Sequence, residues 1–331
     1  MKLPLDRYDR LPEALAGLAP RDIHKAFPNP SLVFIEGEDA QPLFVSTLLH
    51  GNELTSFSVL QHLERACRTS RPPRSLVVFV GNVDATAAGV RHLDETPDFN
   101  RIWADGHSPW HDMSHEVMDE ARRAGLFASI DIHNNTGTNP LYGCVNALRP
   151  ADLQLAAMFA PVGVYYLNPP TTQSIAFSRI CPAITVECGK TGNTDGIAAA
   201  IRLVEDAMRL KTFAPAPPSP EALKVYQTVG RVLIPADVSF GFGETGVQLD
   251  LRADLEAMNF RPMPAGADWA ATALSGMPLN VLDEHGKDLT DAFFRRDGRA
   301  LKLVQDVVPS MITRNKEVIR QDCLGYLMRP I

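Results

Sequence analysis

Several things are missing from this 331-residue chain, and each absence narrows what it can do. No window of about 18 uninterrupted apolar residues exists, so no segment reads as a transmembrane helix. No long run of Lys or Arg occurs and the net charge is −7, which argues against nucleic acid and anionic membrane as partners. The five cysteines, Cys67, Cys144, Cys181, Cys188 and Cys323, are scattered and form no C-x-x-C pair. Neither a thiolate zinc site nor a disulfide framework is signalled, and a reducing, cytoplasmic setting fits best. Residues 1–20 carry acids and prolines where a signal peptide needs an apolar stretch. Internal repeats are absent too.

What is present is an apolar content of 45%, enough for a large core and for two domains. The first two hundred residues alternate apolar runs with amphipathic stretches. Runs 43–49, 76–81, 127–132, 162–167 and 183–186 read as strands, and 54–68, 110–124, 153–160 and 194–210 as helices. Thr194 or Asp195 is placed to cap the last helix. This alternation predicts an α/β sheet covered by helices on both faces. Residues 213–220 then read FAPAPPSP, a Pro/Ala linker that cannot continue a helix. Beyond it, short β-like runs at 223–233, 247–251, 278–282 and 301–308 are separated by Gly and Pro. The predicted division is a domain over 1–212, a linker over 213–220 and a smaller β-rich domain over 221–331.

Three clusters carry the chemistry. His50-Gly51-Asn52-Glu53 falls where the strand 43–49 ends and a helix begins, and ligands of open α/β sheets gather at such strand ends. A His and a Glu three residues apart at that turn can reach one metal ion, and imidazole with carboxylate suits Zn²⁺. A second H-x-x-E, His92 to Glu95, lies in a polar connecting stretch and is set aside. Asp131-Ile132-His133-Asn134 closes the run 127–132, so His133 also stands at a strand end. Asp131 shares its face and can accept a hydrogen bond from the far imidazole nitrogen of a ligating histidine. His50, Glu53 and His133 would leave one coordination position open, the pattern of a catalytic zinc. A general base is then required, and Glu187, ending the buried run 183–186, is the candidate. Asp98-Phe99-Asn100-Arg101, preceded by Arg91, offers guanidinium and amide groups suited to gripping a carboxylate. His111 and His115 are spaced i, i+4 on a helix but have no third ligand nearby, and Cys188 has no partner pattern for a nucleophile.

In order, H-G-N-E at 50–53, D-F-N-R at 98–101, D-I-H-N at 131–134 and E-C-G at 187–189 resemble the aspartoacylase and succinylglutamate desuccinylase branch of the zinc carboxypeptidase superfamily. The resemblance implies a mixed central sheet with helices on both faces, plus a second β-rich domain that narrows access to the metal. It implies one Zn²⁺ per chain on His50, Glu53 and His133, with Glu187 as general base. Arg91 would polarise the scissile carbonyl, and Asn100 and Arg101 would bind a substrate carboxylate. The chain departs from the aspartoacylases it resembles at 171–176, TTQSIA, where they carry T-T-R-S-I-A. Gln173 stands where an arginine would meet a second substrate carboxylate, and Arg179 is the nearest substitute for that charge. The implied reaction is hydrolysis of an amide in a small carboxylate-bearing substrate such as an N-acyl amino acid. A carboxypeptidase acting on short peptides and an inactive binding protein of the same fold are the alternatives, and self-association stays open.

Overall fold

A computed structural model describes residues 3–331. The chain divides into two compact units, one running up to Asn134 and over Leu141–Lys224, the other comprising Asn135–Pro140 and Val225–Ile331.

The first unit contains β1 (Asp6–Tyr8), β2 (Ser31–Ile35), β3 (Asp39–Thr47), α1 (Thr55–Thr69), β4 (Arg74–Val80), α2 (Val83–Ala88), α3 (Pro109–Ala124) and β5 (Ala128–His133). It continues with β6 (Tyr142–Val145), α4 (Pro150–Phe159), β7 (Val162–Tyr165), α5 (Gln173–Ser178), β8 (Ala183–Glu187) and α6 (Thr194–Arg209). Its strands lie in the order β1-β2-β4-β3-β5-β8-β6-β7. The centre, β4-β3-β5-β8, is parallel, while β2 and β6 run antiparallel to their inner neighbours, so the sheet is mixed.

Alternation along the strands decides which helix covers which face. Phe44 of β3 and Val77 and Phe79 of β4 join Met113, Val117 and Phe177 in one apolar cluster beneath α3 and α5. Trp103 stands edge-on to both Phe79 and Phe177 within it. The opposite face is covered by α1 and α6, which pack on β3 and on each other, and by α4 over β6 and β8. Phe57, Leu60 and Leu63 of α1 are buried at the spacing that predicted this helix. Each such side chain contributes roughly 1.5–3 kcal/mol on leaving water. Among the described residues, no helix is long and apolar enough to cross a membrane.

The second unit is rich in strands. A five-stranded sheet has the order β10-β11-β12-β15-β14, from β10 (Phe240–Phe242), β11 (Leu249–Leu251), β12 (Asp268–Thr272), β14 (Phe294–Asp297) and β15 (Ala300–Leu303). The strands β9 (Lys224–Leu233), β13 (Asn280–Leu282), β16 (Val308–Ser310) and β17 (Gly325–Pro330) pair antiparallel around β9 and β17. Trp269, Leu249, Leu301 and Phe294 are buried in its core.

Two local expectations change. Asn193, one residue earlier than predicted, caps α6 by accepting from the N–H groups of Asp195 and Gly196. The run 301–308 is two strands, because the chain bends at Val304 and Gln305, and beyond the bend the Asp306 carboxylate accepts the N–H of Ala265. The short strands β1, β2 and β6 and the short helices α2 and α5 had no sequence expectation.

Candidate metal centre

The strand β3 ends in a turn that aims His50 inward. Leu48 adopts φ 54°, a left-handed conformation that an unstrained leucine avoids. Its N–H donates to Ser56 Oγ at 3.0 Å and its carbonyl accepts from Asn82 N–H at 2.7 Å, so both ends are fixed. Gly51 has no room for a side chain, since a Cβ there would lie 2.1 Å from the backbone of Ala85 at α2. The glycine of H-G-N-E is thus required for close approach of α2, and its N–H donates to Arg91 O.

His50, Glu53 and His133 converge, their ligand atoms all lying within 4.8 Å of one another. Each Nδ1 faces one oxygen of Glu53: His50 Nδ1 is 2.8 Å from Oε1, and His133 Nδ1 is 2.8 Å from Oε2. The outer nitrogens are held by other carboxylates. His133 Nε2 is 2.9 Å from Asp131 Oδ2, and His50 Nε2 is 2.9 Å from Asp98 Oδ1. The imidazoles therefore turn their Nδ1 atoms toward a shared centre and their Nε2–H groups toward anchoring acids, the arrangement that fixes the tautomer of a ligating histidine. Asn134 completes the frame. Its N–H donates to Glu53 Oε2 at 3.0 Å, and its side chain bridges Thr55 and Gly189 O.

The electrostatics favour a cation here. Burial opposes the charge on Glu53, but His50 and His133 hold its carboxyl well below the ordinary carboxylate range. Burial likewise opposes ionisation of Asp98, but His50, Arg91 and Arg101 keep it ionised far below its usual range. Burial works against protonation of His133, yet Asp131 and Glu53 raise its pKa well above the usual value. Positive charge between His133 Nδ1 and Glu53 is thus stabilised. A divalent ion bound by the same atoms supplies that charge without the proton, so these residues fit a metal bound by nitrogen and oxygen donors.

The other candidates are placed as follows. Glu187 ends β8 in register with His133 on β5, so the two side chains leave the sheet on the same face. Arg91 grips Asp98 Oδ2 with Nη2 at 2.9 Å and Nε at 3.1 Å, and its Nη1 is 3.5 Å from Glu53. Asn100 is buried, with its Oδ1 accepting the N–H of Gln173 at 2.8 Å. Arg101 donates from Nη1 to Asn100 O at 2.9 Å and makes no direct ion pair among the described residues, although its charge helps to keep Asp98 ionised. Gln173 is fully buried, its Nε2 donating to Ser129 Oγ at 3.2 Å. Arg179 is exposed at the far end of the six-residue α5, so the structure does not bring it beside Gln173. His111 Nδ1 lies 2.7 Å from the Oγ of Ser108, the cap of its own helix, in keeping with a plain helix face, and burial raises the Cys188 thiol pKa well above the usual value, which suits a structural thiol.

The grip of Asp98 on His50 was not evident in the sequence. The two residues are 48 positions apart, and only the fold brings them together. Asp98→Asn removes the carboxylate from both His50 and Arg91. The expected result is zinc affinity lower by about 10–100-fold, measured by competition with a chromophoric chelator. Unchanged affinity would show that His50 needs no such support.

Residues 39–210 match the model of the succinylglutamate desuccinylase/aspartoacylase catalytic domain. No curated protein matches the sequence. Among solved structures, a succinylglutamate desuccinylase/aspartoacylase from Rhodobacter sphaeroides superposes with TM-score 0.61 at 13% identity, over 91% of this chain and 88% of that one. Murine aminoacylase 3 gives 0.59 at 16% identity, over 89% and 97%. The succinylglutamate desuccinylase from Chromobacterium violaceum gives 0.56 at 16%, over 88% and 85%. At these identities the superpositions establish a shared fold.

Proposed function

The chain belongs to the succinylglutamate desuccinylase/aspartoacylase family, and from that premise we propose that it hydrolyses an amide bond in a small carboxylate-bearing molecule, such as an N-acyl amino acid. The convergence of His50, Glu53 and His133 at the carboxyl ends of parallel strands, with Glu187 at the end of the adjacent strand, carries this reading. One Zn²⁺ is the ion the donor set suits, and when bound it polarises the scissile carbonyl and makes water a better nucleophile.

The chain's own residues do the rest. Glu187 takes a proton from the attacking water and delivers it to the leaving amine nitrogen, so that the amine departs neutral. Asp98 and Asp131 hold the two imidazoles in orientation. Arg91, anchored on Asp98, polarises the oxygen that gains charge as water adds. Arg101 makes no direct ion pair among the described residues, and the substrate carboxylate is its partner, with Asn100 beside it. The five free cysteines accord with a reducing, cytoplasmic setting.

Specificity follows from counting charges. Arg91 is already paired with Asp98, and Gln173 is neutral and turned onto Ser129. One guanidinium without a direct ion pair, Arg101, favours one carboxylate on the substrate. In a panel of N-acylated amino acids and short peptides, monocarboxylates with neutral side chains are expected to show the highest kcat/KM. N-acetylaspartate should be poorer by about 10²-fold or more, because its second carboxylate would be desolvated without a partner. Efficient turnover of N-acetylaspartate would contradict this assignment of the charges, and a preference for peptides would make the protein a carboxypeptidase.

A further inference from the structure

The chain leaves β8 at Glu187 and turns at once toward α6, so the residues just past the strand decide where that carboxylate stands. Gly189 makes the turn with φ 71°, a conformation open to glycine at no steric cost. Three hydrogen bonds tie this exit to the metal-bearing elements of the same unit. Cys188 N–H donates to His133 O at 3.0 Å, carrying the pairing of β8 with β5 one residue further. Asn134 Nδ2 donates to Gly189 O at 2.8 Å. Thr191 Oγ1 donates to Asn52 O at 2.8 Å, inside the turn that carries His50 and Glu53.

Asn134 is the hub of this arrangement. It is buried, and its side chain uses its acceptor and both amide hydrogens. Oδ1 accepts the N–H of Thr55 at 3.0 Å, while Nδ2 donates to Thr55 Oγ1 at 2.9 Å as well as to Gly189 O. A primary amide is suited to making all three bonds at once. Leu54 at the start of α1 has no side chain to cap it, so Asn134 satisfies the first N–H of α1 from outside the helix. The backbone N–H of Asn134 holds Glu53 Oε2. One residue therefore adjoins His133, grips Glu53 and fixes the exit from Glu187. Thr191 adds a second tie, from further along the loop to the turn between His50 and Glu53. Such ties bear on chemistry because a base must lie within hydrogen-bond reach of the water it deprotonates, and small displacements cost rate steeply.

We infer that Asn134 and Thr191 are positioning residues for the general base: by tying the exit of β8 to the end of β5 and to the H-G-N-E turn, they fix Glu187 relative to the metal ligands. The inference rests on the reading of the site as a metal-dependent hydrolase with Glu187 as its base. It gives a role in turnover to two side chains that need touch neither substrate nor metal.

The test uses the full, zinc-loaded chain. Asn134→Asp keeps an acceptor for the Thr55 N–H and can accept from the Thr55 hydroxyl, but it sets a carboxylate against Gly189 O where a donor stood. Thr191→Val keeps the shape of the side chain and loses the donor without a change of charge. Both variants should hold zinc at one ion per chain, since the ligands keep their own supports, and the Cys188 amide should exchange faster in both. On the best N-acyl amino acid, kcat should fall about tenfold in Asn134→Asp and about fivefold in Thr191→Val, with KM within about twofold. Thr191→Ser, which keeps the hydroxyl, should recover most of the loss. In the Glu187→Gln background no base remains to be positioned, so each change should lower kcat by no more than about twofold further. The inference is overturned if either variant keeps its kcat, or if the full loss recurs in the Glu187→Gln background. If the unaltered protein hydrolyses no member of the panel, or Glu187→Gln is fully active, the proposed activity or its base fails instead. Cys188 exchange then still decides whether the two side chains hold the exit of β8, and exchange unchanged in both variants would refute that.

Discussion

Replacing Glu187 by Gln is expected to lower kcat by about 10²–10⁴-fold while zinc stays bound at one ion per chain. The amide matches the carboxylate in size but cannot accept a proton from water. The metal ligands are other residues, so their set is unaltered. If Glu187 acts only in the chemical step, KM should change little and kcat/KM should fall with kcat. Glu187 is held at the end of β8 by its pairing with β5 and β6, opposite His133 and Tyr142. The exchange is therefore not expected to disturb the fold, which a Tm close to that of the unaltered protein would verify. Near-normal turnover at full zinc occupancy would place the base elsewhere.

The second large effect concerns a ligand. His133→Ala removes one of three metal donors and also the cationic partner of two buried carboxylates, Glu53 and Asp131. Stripping a partner from a buried charge pair costs about 3–5 kcal/mol, because the remaining charge stays desolvated. Two changes are expected together: loss of stoichiometric zinc, and a fall in Tm even when the variant and the unaltered protein are compared in chelator. The second separates this account from one in which His133 serves only the metal. Zinc should raise the Tm of the unaltered protein in proportion to the logarithm of its free concentration above Kd, and should not do so for the variant. A variant that retained zinc-dependent stabilisation would remove His133 from the ligand set.

Much of this site could be read from the chain because its residues occur at the ends of apolar runs. Period-two alternation alone puts Asp131 and His133 on one face, and the structure has them 2.9 Å apart. Glu187 stood out as a carboxylate closing a buried strand. The helices α1, α3 and α6 were legible because their apolar faces recur at helical spacing over fifteen or sixteen residues. Short elements gave no such signal: β6 has four residues, all buried, and α5 six. Long-range pairings were equally silent. Asp98 on His50 and Glu256 on Thr138 join residues 48 and 118 positions apart, and no local pattern encodes them. The neighbouring pair His62 and Glu205, 2.8 Å apart between α1 and α6, illustrates the same point, since His62 alone reads as an ordinary polar position. Gln173 stands in sequence where the resembling aspartoacylases carry an arginine for the substrate. Its burial against Ser129 follows from the packing of α5 on β5, which sequence spacing does not reveal.

The measurement that bears most directly on the central claim is the location of zinc by anomalous scattering in crystals of the zinc-loaded protein. A single strong peak within bonding distance of His50 Nδ1, His133 Nδ1 and a Glu53 oxygen, with Asp98 and Asp131 still on the outer nitrogens, is the expected result. A peak at any other set of residues, or none at saturating zinc, would contradict the account.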